Sequence, residues 1–250
     1  MTKAFNVEIS DINLLPAGLA YREIKLLEFL QNTTYTKIQN GTKVLDGRKL
    51  EESWFKPVQV DFFISHKSED SDKARKLGAY LQSKGKSVFI DSSIWGNIKN
   101  LQKLIDEAYC KNTNENTYDY DKRNQSTSYT HMLLANALLK TIRSCESFVF
   151  LNTRNSIRAT DIVTNTEETN SPWIYFEINV ANSLLAEVSV ENFSMRECVE
   201  DSMIEMAFEA DLKRFDKVNI RGLLGILGIE LPLIPKDKFK KMFLMKYFVH

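Results

Sequence analysis

Short apolar runs that alternate with stretches of helical periodicity constrain the fold of this chain more than any other feature. Residues 58–64 are rich in β-branched and aromatic side chains, which predicts a strand buried on both faces. Residues 71–84 then carry apolar side chains at helical spacing, and Gly85 ends this predicted helix just before a second apolar run at residues 87–90. The order strand, helix, strand predicts a parallel βαβ unit.

The alternation continues towards the carboxyl terminus. A helical stretch at about residues 133–142 leads to a third apolar run at residues 148–151. Weaker patterns predict the last strands at residues 203–208 and 230–234, separated by a helix near residues 212–227. Strands and helices that alternate in this way predict an α/β fold with a central parallel sheet and helices on both faces.

Other segments fall outside this alternation. Residues 17–31 place apolar side chains on one stripe and predict a helix near the amino terminus. Two polar stretches, 111–130 and 152–170, predict surface loops. The predicted organisation is an N-terminal helical extension at residues 1–56, a main domain at 57–235 and a basic C-terminal tail at 236–250.

Composition argues against several classes of function. With 43% hydrophobic residues among 250, the chain can bury a sizeable core. Lys plus Arg and Asp plus Glu are 33 each, so no bulk positive charge would hold a nucleic-acid backbone. Three widely spaced cysteines and only three histidines argue against a disulfide framework or a metal site. No signal peptide or membrane-spanning run is evident, so we expect a cytoplasmic protein with no membrane or nucleic-acid partner.

Polar residues follow the first two predicted strands, at the edge of the sheet where open α/β folds bind ligands. Ser65, His66 and Lys67 follow the first strand and open a helix, whose amino terminus favours an anion such as phosphate. Taken alone, this segment is better explained by helix capping through Ser68 or Ser71, which needs no ligand. Asp91 ends the second strand, and Trp95 lies in a predicted loop, where it either stacks on a ligand ring or anchors the loop.

A third polar feature begins the predicted helix that starts near residue 172. Ser171 is a predicted N-cap and Pro172 the first helical residue, and Trp173 and Glu177 then lie one helical turn apart. A carboxylate beside an aromatic wall suits a ribose, because it stabilises the positive charge on C1 when a glycosidic bond breaks. The nicotinamide of NAD is already a cationic leaving group, so one carboxylate suffices. The alternative is an ordinary exposed glutamate near a helix terminus.

Three segments in this order resemble the TIR (Toll/interleukin-receptor) domain family. They are residues 61–70 (DFFISHKSED), 88–91 (VFID) and 171–177 (SPWIYFE), within a similarity that covers roughly residues 58–234. The resemblance implies a flavodoxin-like α/β fold. It implies that Glu177 is the catalytic glutamate of the NAD-cleaving members, and that the substrate is bound by Ser65, His66, Lys67, Asp91, Trp95 and Trp173.

The resemblance also implies a function. Stand-alone bacterial TIR proteins, such as those of Thoeris antiphage defence, act as NAD glycohydrolases or ADP-ribosyl cyclases, with NAD as substrate and no cofactor or metal. We therefore expect release of nicotinamide, an ADP-ribose-derived signal read by a separate effector protein, and homo-oligomers formed through TIR surfaces. The N-terminal extension, the 111–130 insertion and the loop before Ser171 depart from the usual TIR pattern.

Two other functions are compatible with these residues. The chain resembles non-catalytic TIR modules that act by self-association or by recruiting a partner, although such a scaffold has no need for Glu177 beside Trp173. A nucleoside deoxyribosyltransferase-like enzyme would instead use the carboxylate as a covalent nucleophile. His131 is predicted to begin a helix after the polar insertion, either as a surface or capping residue or as a proton carrier facing the pocket.

Overall fold

The structure is a computed structural model of the chain. It describes residues 1–23, 36–39, 42–54, 58–112, 117–159, 167–186, 195–200 and 203–231. Within these ranges the backbone alone is described at 36–39, 42–45, 53–54, 92–98, 159, 195–200 and 203–206.

Strands and helices alternate along most of the chain. The strands are β1 Lys3–Glu8, β2 Thr36–Gln39, β3 Thr42–Leu45, β4 Phe62–Ser65, β5 Val88–Ile90, β6 Ser147–Asn152, β7 Arg158–Ala159, β8 Glu167–Thr169, β9 Met195–Glu200, β10 Met203–Glu209 and β11 Asp216–Asn219. The helices are α1 Gly47–Trp54, α2 Ser71–Ser83, α3 Ser92–Ile105, α4 Tyr120–Ser144, α5 Pro172–Leu185 and α6 Ile220–Ile226. A π-helical turn, Asp106–Cys110, follows α3.

The central sheet has five strands in the spatial order β11-β1-β6-β4-β5, and every pairing is parallel. Counted from β4 as the first strand, the neighbours β5-β4-β6 reproduce the 2-1-3 part of the flavodoxin-like order. The next position is filled by β1 from the amino terminus, and β11 completes the sheet. The predicted α/β, flavodoxin-like fold with a central parallel sheet is confirmed.

Helices cover both faces of this sheet and form two apolar cores. On one face, Phe63 of β4 stacks in register with Phe89 and Phe148 of the adjacent strands, and α3, α4 and α5 pack over them. On the other face, α2 and α6 pack against Phe62, Ile64 and neighbouring strand residues. Because both faces are covered, all four residues of β4 are buried, as the continuous apolar run predicts.

The βαβ unit forms as its sequence predicts. β4 leads through a short 3-10 turn at Ser68–Asp70 into α2, and Gly85, at φ +79°, reverses the chain before β5. Glycine adopts this left-handed conformation without the steric cost that a Cβ imposes. The start of α5 is also as predicted, because Ser171 is the N-cap, accepting a hydrogen bond from the Ile174 amide, and Pro172 is the first helical residue.

The amino terminus differs from the predicted helical extension. Instead of standing apart, β1 lies inside the sheet between β6 and β11. Phe5 and Val7 of β1 are fully buried in the core beneath α2 and α6. Of the helix predicted at 17–31, residues 17–23 are not helical and the remainder lies outside the described residues.

Two segments that were predicted as surface loops contain helix or strand residues. The polar stretch 111–130 contains the first half of α4, so His131 lies in the middle of that helix and does not begin it. A search for hydrophobic periodicity does not predict this part of the helix, because the side chains that its first half buries include the polar Ser126 and Thr130. Within 152–170, the short strands β7 and β8 form, and they belong to a separate antiparallel sheet.

The carboxyl-terminal elements also differ from prediction. β10 forms where a strand is predicted at 203–208, but it joins the antiparallel sheet β7-β8-β10-β9 and not the central one. The helix predicted near 212–227 is reduced to α6, because β11 occupies the residues before it. Residues 230–231 are not in a strand, and the rest of the strand predicted at 230–234 and the basic tail at 236–250 lie outside the described residues. Among the described helices, none combines the length and apolarity needed to cross a membrane.

If β1 is an integral strand, truncating its core side chain should destabilise the whole fold. We expect Phe5→Ala to lower the free energy of unfolding by about 3–5 kcal/mol, because Phe5 is completely buried and its loss leaves a cavity. Leu19→Ala is the matched control, since Leu19 is 42% exposed and should cost within about 0.5 kcal/mol. Equal midpoints for both variants in urea unfolding would show that β1 is not part of the core.

Candidate functional site

The carboxyl ends of β4 and β5 bring three predicted site residues together. Ile64 pairs with Ile90 in parallel register, so Ser65 and His66 follow β4 at the edge of the sheet where Asp91 follows β5. All three side chains are buried. Nδ1 of His66 lies 2.6 Å from Oδ1 of Asp91, which makes an ion pair when the imidazole is protonated.

Helix α5 adds Glu177 to this group. Glu177 lies in the second turn of α5 and has no exposed surface. The carboxyl group of Glu177 lies close enough to Asp91 for the charge of Asp91 to affect its pKa, and close enough to the Ser65 hydroxyl for that hydroxyl to stabilise its ionised form. We call Ser65, His66, Asp91 and Glu177 the carboxylate cluster. The alternative that Glu177 is an ordinary exposed helix residue is therefore wrong.

Burial dominates the protonation of Glu177. Removal from water raises the pKa of its carboxyl group well above the ordinary glutamate range, and the negative charge of Asp91 raises it further. The nearby Ser65 hydroxyl lowers the pKa, but not enough to offset these effects. In this arrangement Glu177 holds a proton at pH values where an exposed glutamate is ionised.

His66 is shifted in the direction that favours its charged form. Burial lowers the pKa of the imidazole, but the charge and close contact of Asp91 outweigh burial and raise the pKa above its ordinary value. The charge of Asp70 and the carbonyl of Ile64 act in the same direction. His66 and Asp91 thus lie as a buried pair beside Glu177, and the contact with Asp91 favours the charged form of the imidazole.

Polar atoms of this cluster lack well-aligned hydrogen-bond partners among the described residues. They are Oγ of Ser65, both ring nitrogens of His66 and both carboxyl oxygens of Glu177. The contacts of His66 with Asp91 and of Ser65 with Glu177 are therefore close but poorly aligned. Buried polar groups in proteins are nearly always paired, so a group of unpaired ones at the ligand-binding edge of an α/β sheet marks a candidate site.

Trp173 lies one turn before Glu177 on α5 and is half-buried. Its indole packs edge-on against His131 of α4, with ring centroids 5.7 Å apart, and against Phe176, at 6.2 Å. These contacts fix Trp173 as an aromatic wall on the α4 side of Glu177. His131 is exposed and belongs to this wall, a role that its sequence neighbourhood did not reveal.

The remaining predicted site residues are less closely tied to the cluster. Lys67 is half-buried and makes no ion pair within the described part of the chain. The prediction that Trp95 lies in a loop is wrong, because Ser92 begins α3 directly after Asp91. Trp95 therefore lies in the first turn of a helix, and its side chain is outside the described residues.

A third buried carboxylate, Asp70, ends the segment 61–70 that resembles TIR domains but was not predicted as a site residue. It receives hydrogen bonds from Thr153 Oγ1 at 2.5 Å and Asn155 Nδ2 at 3.2 Å, and Lys73 Nζ lies 2.6 Å away. Burial raises the pKa of Asp70, but these partners outweigh it and lower the pKa below the ordinary range. Asp70 thus ties the segment after β6 to the start of α2, next to His66.

Comparisons with models of protein families, with curated proteins and with solved structures find no match to this chain. Within the described ranges, no group of three or more His, Cys, Asp or Glu side chains is arranged to hold a metal ion. A functional proposal therefore rests on the residues and geometry of the carboxylate cluster. A buried acid beside an aromatic wall suits chemistry in which positive charge develops on a substrate.

The raised pKa of Glu177 makes the stability of the protein depend on pH. Above about pH 4.3 the glutamate ionises in the unfolded chain but stays protonated in the fold, so its contribution to stability falls as pH rises towards the folded pKa. We expect Glu177→Gln to be more stable than wild type by a margin that grows from pH 4 to pH 7.

Urea unfolding of both proteins across this range measures the difference, in which the shared titration of His66 largely cancels. Glu146→Gln is the matched control, because Glu146 is exposed and should give no such margin. A margin for Glu177→Gln that is absent, or that shrinks with rising pH, would show that Glu177 is ionised in the fold.

Proposed function

We propose that this chain is an NAD-cleaving enzyme of the TIR type, in which the bond between nicotinamide and ribose breaks beside Glu177. The observation that carries the proposal is the completely buried Glu177 carboxyl group, unpaired among the described residues, at the carboxyl edge of the parallel sheet. An unpaired buried carboxyl group costs stability, so a structural role does not account for it. The three segments that resemble TIR domains supply Ser65, Asp91 and Glu177 to the same cluster.

The proposed reaction uses Glu177 to stabilise charge. When the glycosidic bond of NAD breaks, its electron pair leaves with nicotinamide and neutralises the pyridinium ring, while positive charge develops on the ribose C1′. The Glu177 carboxylate stabilises that charge and accepts hydrogen bonds from ribose hydroxyls. Water or a second nucleophile then attacks C1′ and loses a proton, giving ADP-ribose or a cyclic or conjugated product. Trp173 forms the wall that limits access of water.

Protonation links the structure to this mechanism. Glu177 is protonated when it is buried without a ligand, whereas the reaction needs its ionised form. The cationic nicotinamide of bound NAD favours ionisation, because an opposite charge nearby lowers a carboxyl pKa. Binding of substrate would therefore switch Glu177 into its active state.

Access to Glu177 requires movement, because its side chain is fully shielded from solvent. Asp91 of the cluster is followed immediately by α3, so the start of α3 adjoins the buried site. We propose that this segment opens on assembly of TIR domains into a homo-oligomer.

The product would be a signal for a separate effector protein in antiphage defence.

The direct test is release of nicotinamide from NAD by concentrated protein, measured by liquid chromatography and mass spectrometry. We expect Glu177→Gln and Glu177→Ala to lower the rate by at least about a hundredfold, because each removes the charge that stabilises the transition state. Glu146→Gln is exposed and should keep the wild-type rate. The rate of wild type should rise with pH above the ordinary glutamate range, since the reaction needs ionised Glu177.

Other outcomes would identify the alternatives. If wild type is as inert as the Glu177 variants at every concentration, the catalytic proposal fails and a non-catalytic interaction module takes its place. If intact-mass analysis after incubation with a deoxyribonucleoside shows a stable glycosyl adduct on Glu177, the carboxylate acts as a nucleophile, as in a deoxyribosyltransferase-like enzyme. The mass of the product from NAD separates hydrolysis from cyclisation or conjugation.

A further inference from the structure

A solvent-open cavity of about 340 Å³ lies between α3 and the first half of α4, separate from the carboxylate cluster. Its volume falls within the range of about 300–1,000 Å³ that is typical of small-molecule sites. The π-helical turn at Asp106–Cys110 contributes to its wall, and such turns are often found at functional sites. Glu177 is not among the residues that line it.

Positive charge on the cavity wall exceeds negative charge: Lys99, Lys103 and Arg123 line it with Asp106 and Glu107, and Arg123 forms an ion pair with Asp106. Lys99 and Lys103 of α3 both line the cavity, and their spacing places them one turn apart on the same helix face. Neither lysine forms an ion pair within the described part of the chain, although Lys103 is near enough to Glu107 to help lower its pKa. Like charges on one helix face destabilise the helix unless an anion compensates them.

The acidic residues of the wall already have partners. Glu107 is paired with Lys111 Nζ at 2.6 Å and accepts a hydrogen bond from the Tyr118 hydroxyl at 2.5 Å. Asp106 is buried and accepts hydrogen bonds from several donors around it, namely Gln102 Nε2, Ser126 Oγ and Arg123 Nε. The acids are therefore committed to the protein, and the two lysines remain available to a ligand.

Arg123 is held in an orientation that suits an anion. Its Nε donates to Asp106 at 3.1 Å, and its guanidinium lies over the Tyr118 ring at 5.2 Å. The terminal nitrogens of Arg123 have no hydrogen-bond partner among the described residues. A guanidinium fixed on one edge and free on the other is the arrangement that binds phosphate oxygens in pairs.

We propose that this cavity binds the phosphate group of a small phosphorylated ligand through Lys99, Lys103 and Arg123. Gln102 Oε1, a buried atom of the wall without a partner among the described residues, is an acceptor for a hydroxyl or other donor of the ligand and not for its phosphate. None of Ser65, His66, Asp91 and Glu177 lines this cavity, so it is not part of the carboxylate cluster, although His131 on its wall packs against Trp173. The proposal does not depend on NAD cleavage.

Isothermal titration calorimetry of the full chain tests the proposal with three probes, which are adenosine 5′-monophosphate, ribose 5-phosphate and inorganic phosphate. We expect saturable binding by wild type that weakens by at least about tenfold in the Lys99→Gln/Lys103→Gln double variant, since charged contacts with the phosphate are lost. Lys3→Gln/Lys213→Gln removes the same charge from exposed positions elsewhere and should bind as wild type does. Glu177→Gln should also bind normally.

The three probes identify the source of the phosphate. Tighter binding of the nucleotide supports a nucleotide ligand, and equal binding of all three supports recognition of the phosphate alone. A second measurement that needs no variant is the affinity of wild type at increasing NaCl, which should fall, as charge-dependent binding does. Absence of saturable binding, salt-independent binding, or equal loss in the Lys3/Lys213 control would overturn the proposal. Loss of binding in Glu177→Gln would show that the two sites are one.

Discussion

Parallel pairing of β4 with both β5 and β6 is the constraint on which the rest of the molecule depends. Parallel strands end on the same edge of a sheet, so the residues after β4 and β5 must meet there, whatever their separation in the chain. This pairing places His66 against Asp91, and it brings Thr153 after β6 to Asp70 before α2. The apolar cores on the two faces stabilise an edge that is itself polar and buried.

Two buried carboxyl groups at this edge are shifted in opposite directions by their surroundings. Asp70 receives hydrogen bonds from Thr153 and Asn155 and the charge of Lys73, so it stays ionised and fastens two segments together. Glu177 has no aligned partner among the described residues and faces the charge of Asp91, so it stays protonated. Divergent carboxyl pKa values within one site are typical of groups with different roles, one holding the structure and the other available for chemistry.

The sequence predicts the elements whose signals are local. The apolar run of β4, the glycine after α2 and the Ser-Pro start of α5 each require only neighbouring residues to be recognised. β1 is not predictable in this way, because Asn6 interrupts its apolar residues and its partners β6 and β11 lie far along the chain. The first half of α4 is not predicted for another reason. Its buried side chains include the polar Ser126 and Thr130, whose hydroxyls form hydrogen bonds within the protein, so the segment has no apolar stripe.

The structure brings four of the predicted site residues together, in an environment that the sequence does not predict. Motif order identifies Ser65, His66, Asp91 and Glu177, but burial of Glu177 depends on how α5 packs beside α4, which a linear pattern does not encode. The same packing places His131 against Trp173. Because His131 also lines the cavity between α3 and α4, the cavity adjoins the aromatic wall beside Glu177. Helix α4 therefore contributes to both regions: His131 packs against the Trp173 wall, and Arg123, Thr127 and His131 line the open cavity between α3 and α4.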